Sequence, residues 1–173
     1  MDMEERGMGL EQRVTNLERR LMALEGARLA DPRIDGGDFW ALNGLREQLS
    51  EAGVADGGVL YTGSVGLPTG EEYSWQMTTL TEDLLEGDWT TAAESFAALG
   101  HPVRIRLLRE ILGGRRTATE LAELDEVGTT GQIYHHLRQL TATGWLHTTG
   151  RGRHEVPPGR VVPLLVALAT ARP

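Results

Sequence analysis

The chain contains no cysteine in 173 residues, which excludes disulfide scaffolds, thiolate zinc sites, cysteine nucleophiles and thiol redox switches. Lysine is also absent. All 17 basic residues are arginine, set against 25 acidic ones for a formal charge of −8. Taken whole, that balance argues against nucleic acid or an anionic membrane surface as a partner. Aromatics are scarce, at 5% of residues. No window approaches the roughly 18 apolar residues of a membrane helix, and Met1-Asp2-Met3-Glu4-Glu5 lacks the basic start of a signal peptide. The sequence thus predicts a soluble cytoplasmic protein with no membrane partner. No Walker loop or G-x-G-x-x-G is present, and Gly63-Ser64-Val65-Gly66 is not a nucleophile elbow, because Thr62 stands where that motif needs glycine. Without a nucleophile–base arrangement, metal cluster or phosphate loop, the chain reads as a non-enzyme with no cofactor.

Hydrophobic residues make up 40% of the chain and charged residues 24%, enough for one or two compact domains with a real core. The charge is uneven. Residues 1–90 hold seven arginines and eighteen acids, a net −11, whereas residues 91–173 hold ten arginines and seven acids, a net +3.

Leu10, Val14, Leu17, Leu21 and Leu24 recur at spacings of 4, 3, 4 and 3, the a/d pattern of a coiled coil, with Met3 one heptad before Leu10. The e positions are then Glu4, Glu11, Glu18 and Glu25, and the g positions Arg6, Arg13 and Arg20. A parallel homodimer pairs Arg6 with Glu11, Arg13 with Glu18 and Arg20 with Glu25, whereas an antiparallel one sets like charges together. The alternative is a single amphipathic helix packed on its own domain, since three heptads are short and Gly7 occupies an a position. Gly26 and Pro32 end the helix.

Phe39, Leu42, Leu45 and Leu49 predict a helix from about residue 38 to 52, stopped by Gly53. Residues 59–65 and 73–78 are β-rich and flank Gly66-Leu67-Pro68-Thr69-Gly70, which predicts a hairpin. Trp40, Tyr61, Tyr73, Trp75 and Gln76 form a candidate small-molecule pocket, aromatic with one amide. Packing of these aromatics on a helix or a second subunit is the stronger alternative.

The C-terminal half is punctuated by helix signals. Thr91-Ala92-Ala93-Glu94 has the form of a capping box leading to Gly100; Pro102 opens a helix closed by Gly113-Gly114. Thr117-Ala118-Thr119-Glu120 opens a short helix, and Thr129-Thr130-Gly131-Gln132 opens one reaching Thr143 and Gly144. Short helix, turn ending in glycine and longer helix make a helix-turn-helix plan. Ile133, Leu137 and Leu140 face the core, leaving Thr129, Thr130, Gln132, Tyr134, His135 and Arg138 toward solvent as candidate DNA contacts. Residues 145–156 predict a hairpin whose glycine-arginine tip offers Arg151 and Arg153 to phosphates or a minor groove.

The run Ala97-Ala98-Leu99-Gly100-His101-Pro102-Val103-Arg104-Ile105-Arg106-Leu107-Leu108 resembles the L-x-x-P-x-R-x-x-I/L-L opening of ArsR-type winged-helix transcription regulators. Gly128 to Leu140, with its His135-His136-Leu137-Arg138-Gln139-Leu140, resembles their recognition helix, which often ends in H-H-L-x-x-L. The resemblance spans about residues 90–170. It implies a dimeric winged-helix protein that represses by occupying an operator and releases it when an effector binds or leaves. The family's metal sensors use cysteines, or acids and histidines on the last helix; this chain has no cysteine, and residues 161–171 carry no acid or histidine. That leaves metal sensing without ligands. His147 and His154 facing each other across the hairpin would lack a third ligand, and His135 and His136 diverge by about 100° on one helix. His101 before Pro102 reads as a cap or packing residue, and the apolar last helix as a surface buried at a dimer interface.

The fold class that follows is mainly α with small β-hairpins: a coiled coil at 1–30, a helix-hairpin module for dimerisation or effector sensing at 31–88, and a winged helix-turn-helix domain at 89–173. The function expected is a homodimeric, sequence-specific regulator of double-stranded DNA, a repressor, with a small-molecule or protein effector acting at the helix-hairpin module. The alternative is a protein-interaction module that keeps the winged-helix scaffold without binding DNA.

Overall fold

Local start and stop signals set most of the helix boundaries in this chain, and long-range contacts assemble them. The structure, a computed structural model, describes Val14 and residues 39–172. In chain order it contains α1 (Trp40–Glu51), β1 (Gly58–Gly66), β2 (Glu72–Leu80), α2 (Thr81–Glu86), α3 (Trp89–Leu99) and α4 (Pro102–Leu112). There follow α5 (Ala118–Ala122), α6 (Thr130–Ala142), β3 (His147–Thr149), β4 (Arg153–Glu155) and α7 (Pro158–Thr170). It is a mixed α/β chain in which the strands form two antiparallel hairpins, β1–β2 and β3–β4.

Two capping boxes form as the sequence predicts. Thr117 caps α5 with Glu120 reaching back, and Thr129 caps α6 with Gln132 reaching back. The start of α3 differs: its N-cap is Asp88, whose carboxylate accepts from the Thr90 N–H at 2.9 Å, so Thr91 lies inside the helix. Asp88 is itself a strong cap, and that bond holds its carboxyl below the usual carboxylate range. Helix α2 carries no periodic apolar signal long enough to be read in advance. Its partner is Trp89, whose Nε1 donates to the Leu84 carbonyl at 2.8 Å.

The core joins α3 to α7. Leu107, Leu108 and Ile111 of α4, Leu121 of α5, Ile133, Leu137 and Leu140 of α6 and Leu164 of α7 are essentially inaccessible to water. Burying each such side chain contributes about 1.5–3 kcal/mol. Trp145 ties α3 in: its Nε1 donates to Ser95 Oγ at 2.9 Å, while the Arg160 guanidinium lies 4.9 Å from its ring centroid.

The long hairpin seats on α7 by two glycine contacts. A Cβ at Gly63 would stand 2.7 Å from Val162 Cγ1, and one at Gly159 would stand 3.3 Å from the Trp75 ring. Gly63, in the serine-containing run that resembled an elbow, is thus a point of close backbone approach. Residues from Ala41 onward form one compact unit, which holds β1 and β2 together with α3 to α7. The hairpin's odd-numbered face, through Gly63 and Trp75, lies on the last helix. For the same reason much of that helix's apolar surface is used within the chain: Val161, Val162 and Leu164 are buried without a second subunit.

Of the coiled-coil positions, Leu10, Leu17, Leu21 and Leu24 lie outside the described residues; Val14 is helical and 46% exposed. Among the described residues no helix is long and apolar enough to cross a membrane.

Candidate nucleic-acid interface

Helix α6 has two chemically distinct sides. Ile133, Leu137 and Leu140 are buried, while Thr130, Gly131, Gln132, Tyr134, His135 and Arg138 are exposed, Tyr134 by 51%. The link before it turns sharply at Glu126 (φ 62°) and Gly128 (φ 90°), which brings Thr129 into cap position. A Cβ at Gly128 would also meet the Gln132 side chain at 2.5 Å, so glycine serves both turn and cap.

The cap changes what two of the candidate contacts can do. Gln132 Oε1 accepts from the Thr129 N–H at 2.8 Å, and Thr129 Oγ1 accepts from the Gln132 N–H at 3.4 Å. With its carbonyl oxygen engaged, Gln132 keeps the amide Nε2 as its outward group and acts as a donor, not as a donor–acceptor pair. The first-turn N–H groups of α6 remain a source of positive potential at that end.

Sequence reasoning did not anticipate the histidine cluster behind this face. His136 packs against His101 with ring centroids 4.6 Å apart and the rings tilted by 46°, and the His135 ring lies edge-on 5.7 Å from that of His136. His101 Nδ1 accepts from the Val103 N–H at 3.2 Å, so His101 is at once the cap of α4 and a packing residue. Burial pushes the His136 imidazole below its ordinary pKa, and the charges of His101, His135 and Arg104 add to that.

In the second hairpin the register pairs His147 with Glu155 and Thr148 with His154. The two histidines therefore do not face each other, because adjacent positions of a strand point to opposite sides. Arg151 occupies the tip between Gly150 and Gly152, at φ 65°, and is exposed. Arg153 is not at the tip. It opens β4, is half-buried, bridges to Thr117 and lies close enough to Glu120 to act on its carboxyl; the Thr117 N–H is the main cause of that group's lowered pKa. Among the described residues no three histidine, aspartate or glutamate side chains converge as a metal site would require.

Arg116 was also missed. Its guanidinium, with 15% side-chain exposure, bridges Glu71 beside the β1–β2 turn and Glu155 of β4, the latter at 3.1 Å, and its carbonyl accepts from the His154 N–H at 2.6 Å. Thr69 Oγ1 donates to Glu71 at 2.7 Å; that bond, then Arg116, hold the Glu71 carboxyl below the usual range. Burial works against the Arg116 charge, but the two carboxylates outweigh it and raise its pKa. One side chain thus ties the long hairpin to the short one.

The aromatic pocket is not assembled as the sequence suggested. Tyr61, Tyr73 and Trp75 share the odd-numbered face of the hairpin, with Tyr61 OH donating to Met77 Sδ at 3.3 Å and Trp75 against Gly159. Gln76 pairs with Thr62 on the opposite face, and Trp40 opens α1 with 61% exposure. Strand alternation separates Gln76 from the aromatics. No family model matches the chain, and no curated protein or solved structure does.

Proposed function

We propose that the chain is a homodimeric, sequence-specific transcription regulator, a repressor, that grips double-stranded DNA through a winged helix-turn-helix. In this reading α5 and α6 are the helix-turn-helix pair, α6 is the recognition helix and β3–β4 is the wing. The carrying observation is the division of α6: Ile133, Leu137 and Leu140 are buried and the polar face Thr130, Tyr134, His135 and Arg138 is left to solvent, while Arg151 at the tip of β3–β4 is also exposed. The resemblance of residues 97–108 and 128–140 to ArsR-type regulators points the same way. Base readout falls to Thr130, Tyr134, His135, Arg138 and the Gln132 Nε2; phosphates fall to Arg151 and to the N–H groups opened by Thr129, with half-buried Arg153 in a lesser role. The coiled coil through Leu10, Val14, Leu17, Leu21 and Leu24 would pair two such modules on a roughly palindromic site, inside the cytoplasm.

The test is selection of DNA fragments from a random pool by the purified full-length protein, followed by affinity measured across salt. Enrichment of a common site with a steep salt dependence is expected; no enrichment and no salt dependence would refute the reading. The interaction-module alternative draws on a different observation, the exposure of Leu85 (67%), Trp89 (64%) and Phe96 (67%) on α2 and α3. A folded protein that selects no DNA yet retains a stable partner through Trp89 and Phe96 would favour it.

A further inference from the structure

A groove of about 710 Å³ runs between α4, α7 and the turn of the long hairpin, within the size range of small-molecule sites. Its floor is hydrocarbon: Ile105, Leu108 and Leu112 from α4 and Leu164, Leu165 and Leu168 from α7. Its rim carries the guanidinium groups of Arg109 and Arg172 against one carboxylate, Glu110, which lies 3.9 Å from Arg115 as well as 4.0 Å from Arg109. An apolar trough with a cationic rim matches a molecule with a hydrocarbon body and an anionic head. We infer that this groove binds a small amphipathic carboxylate, with its chain on the leucines and its head at Arg109 and Arg172.

The third wall explains how occupancy would be sensed. Pro68 of the β1–β2 turn lines the groove, and its neighbour Thr69 holds Glu71, which meets Arg116, which in turn holds Glu155 of β4. A ligand that displaces Pro68 therefore strains a chain of contacts ending in the hairpin that carries Arg151. This coupling rests on the DNA-binding reading above; binding in the groove does not. The site is distinct from the aromatic set of the hairpin, none of whose members lines it.

The experiment is calorimetric titration of the full-length protein with sodium dodecanoate below its micelle concentration, with dodecylammonium as the opposite-charge control. One dodecanoate per chain and no matching cation binding are expected. Arg109, whose side chain is 84% exposed, can be changed to Gln without disturbing the core, and Arg109→Gln should weaken binding about fivefold, the scale of an exposed ion pair. Leu165→Trp should fill the trough and abolish binding while the circular dichroism stays native. No saturable binding by the folded wild type, equal binding of the cation, or indifference to both substitutions would overturn the proposal. So would a subunit contact that Leu168→Asp dissociates, since the groove would then belong to a second copy of the chain. Dodecanoate binding without any DNA binding would sink the regulator reading and leave the groove standing; DNA binding with no dodecanoate site would do the reverse.

Discussion

The seating of the long hairpin on α7 predicts that Gly63→Ala is destabilising, although alanine replaces glycine in a strand where φ is not positive and no backbone penalty applies. The added Cβ would stand 2.7 Å from Val162 Cγ1 and 3.4 Å from Cγ2, both on a side chain only 1% exposed, which has nowhere to retreat. Overpacking of that kind costs about 1–3 kcal/mol. Val162→Ala alone removes two buried methyl groups and should cost about 2 kcal/mol. The pair should not add. Once the Val162 methyls are gone the Gly63→Ala methyl has room, so the double variant should recover at least about 1 kcal/mol relative to the sum. Urea unfolding at fixed protein concentration, followed by tryptophan fluorescence, measures all four stabilities. A harmless Gly63→Ala, or strictly additive costs, would refute the account of one body built by hairpin and last helix.

Three further outcomes follow from named contacts. Arg116→Met should lower stability by about 2 kcal/mol in the same urea assay, because two carboxylates lose charged hydrogen bonds to a largely buried guanidinium; an unchanged midpoint would show that the clamp is dispensable. Thr129→Ala should cost about 1 kcal/mol through loss of the α6 cap, and Thr129→Ser should restore most of it. His136 is held below its ordinary pKa of ~6.5, so the folded protein binds fewer protons than the unfolded chain in mild acid. Its stabilising contribution is complete above ~6.5 and is lost as pH falls from there through the folded-state value, and His136→Gln should flatten that part of the Tm-against-pH curve. An unchanged slope would contradict it.

Contacts between residues three or four apart were legible in the sequence, and contacts between distant residues were not. The Thr117–Glu120 and Thr129–Gln132 boxes depend only on local spacing and stand where they were read. Asp88 outranked Thr91 because two good caps lay three residues apart, and spacing alone does not rank them. The strands of both hairpins follow from composition, but their register does not, so whether His147 faces His154 needed the folded chain; the separation of Gln76 from Tyr73 and Trp75 follows from strand alternation alone. Arg116 meets Glu71 and Glu155 across 45 and 39 residues, and Gly63 meets Val162 across the whole C-terminal half. No local pattern marks such pairs. At the candidate interface, the polarity of α6 was legible from its period; the engagement of Gln132 in its own cap and the burial of Arg153 beside Glu120 needed the folded chain.

With a net charge of −8, non-specific attraction to DNA should be weak, so DNA binding would depend on where a few arginines stand. The most direct measurement is the salt dependence of affinity for a selected DNA site, taken for the wild type, Arg151→Ala and Arg138→Ala alongside a scrambled site. Arg151→Ala should lower the salt slope by about one and preserve discrimination, whereas Arg138→Ala should cost about 1–3 kcal/mol on the selected site and relax discrimination. Wild-type protein that binds selected and scrambled DNA alike, or neither, would contradict the DNA-binding reading.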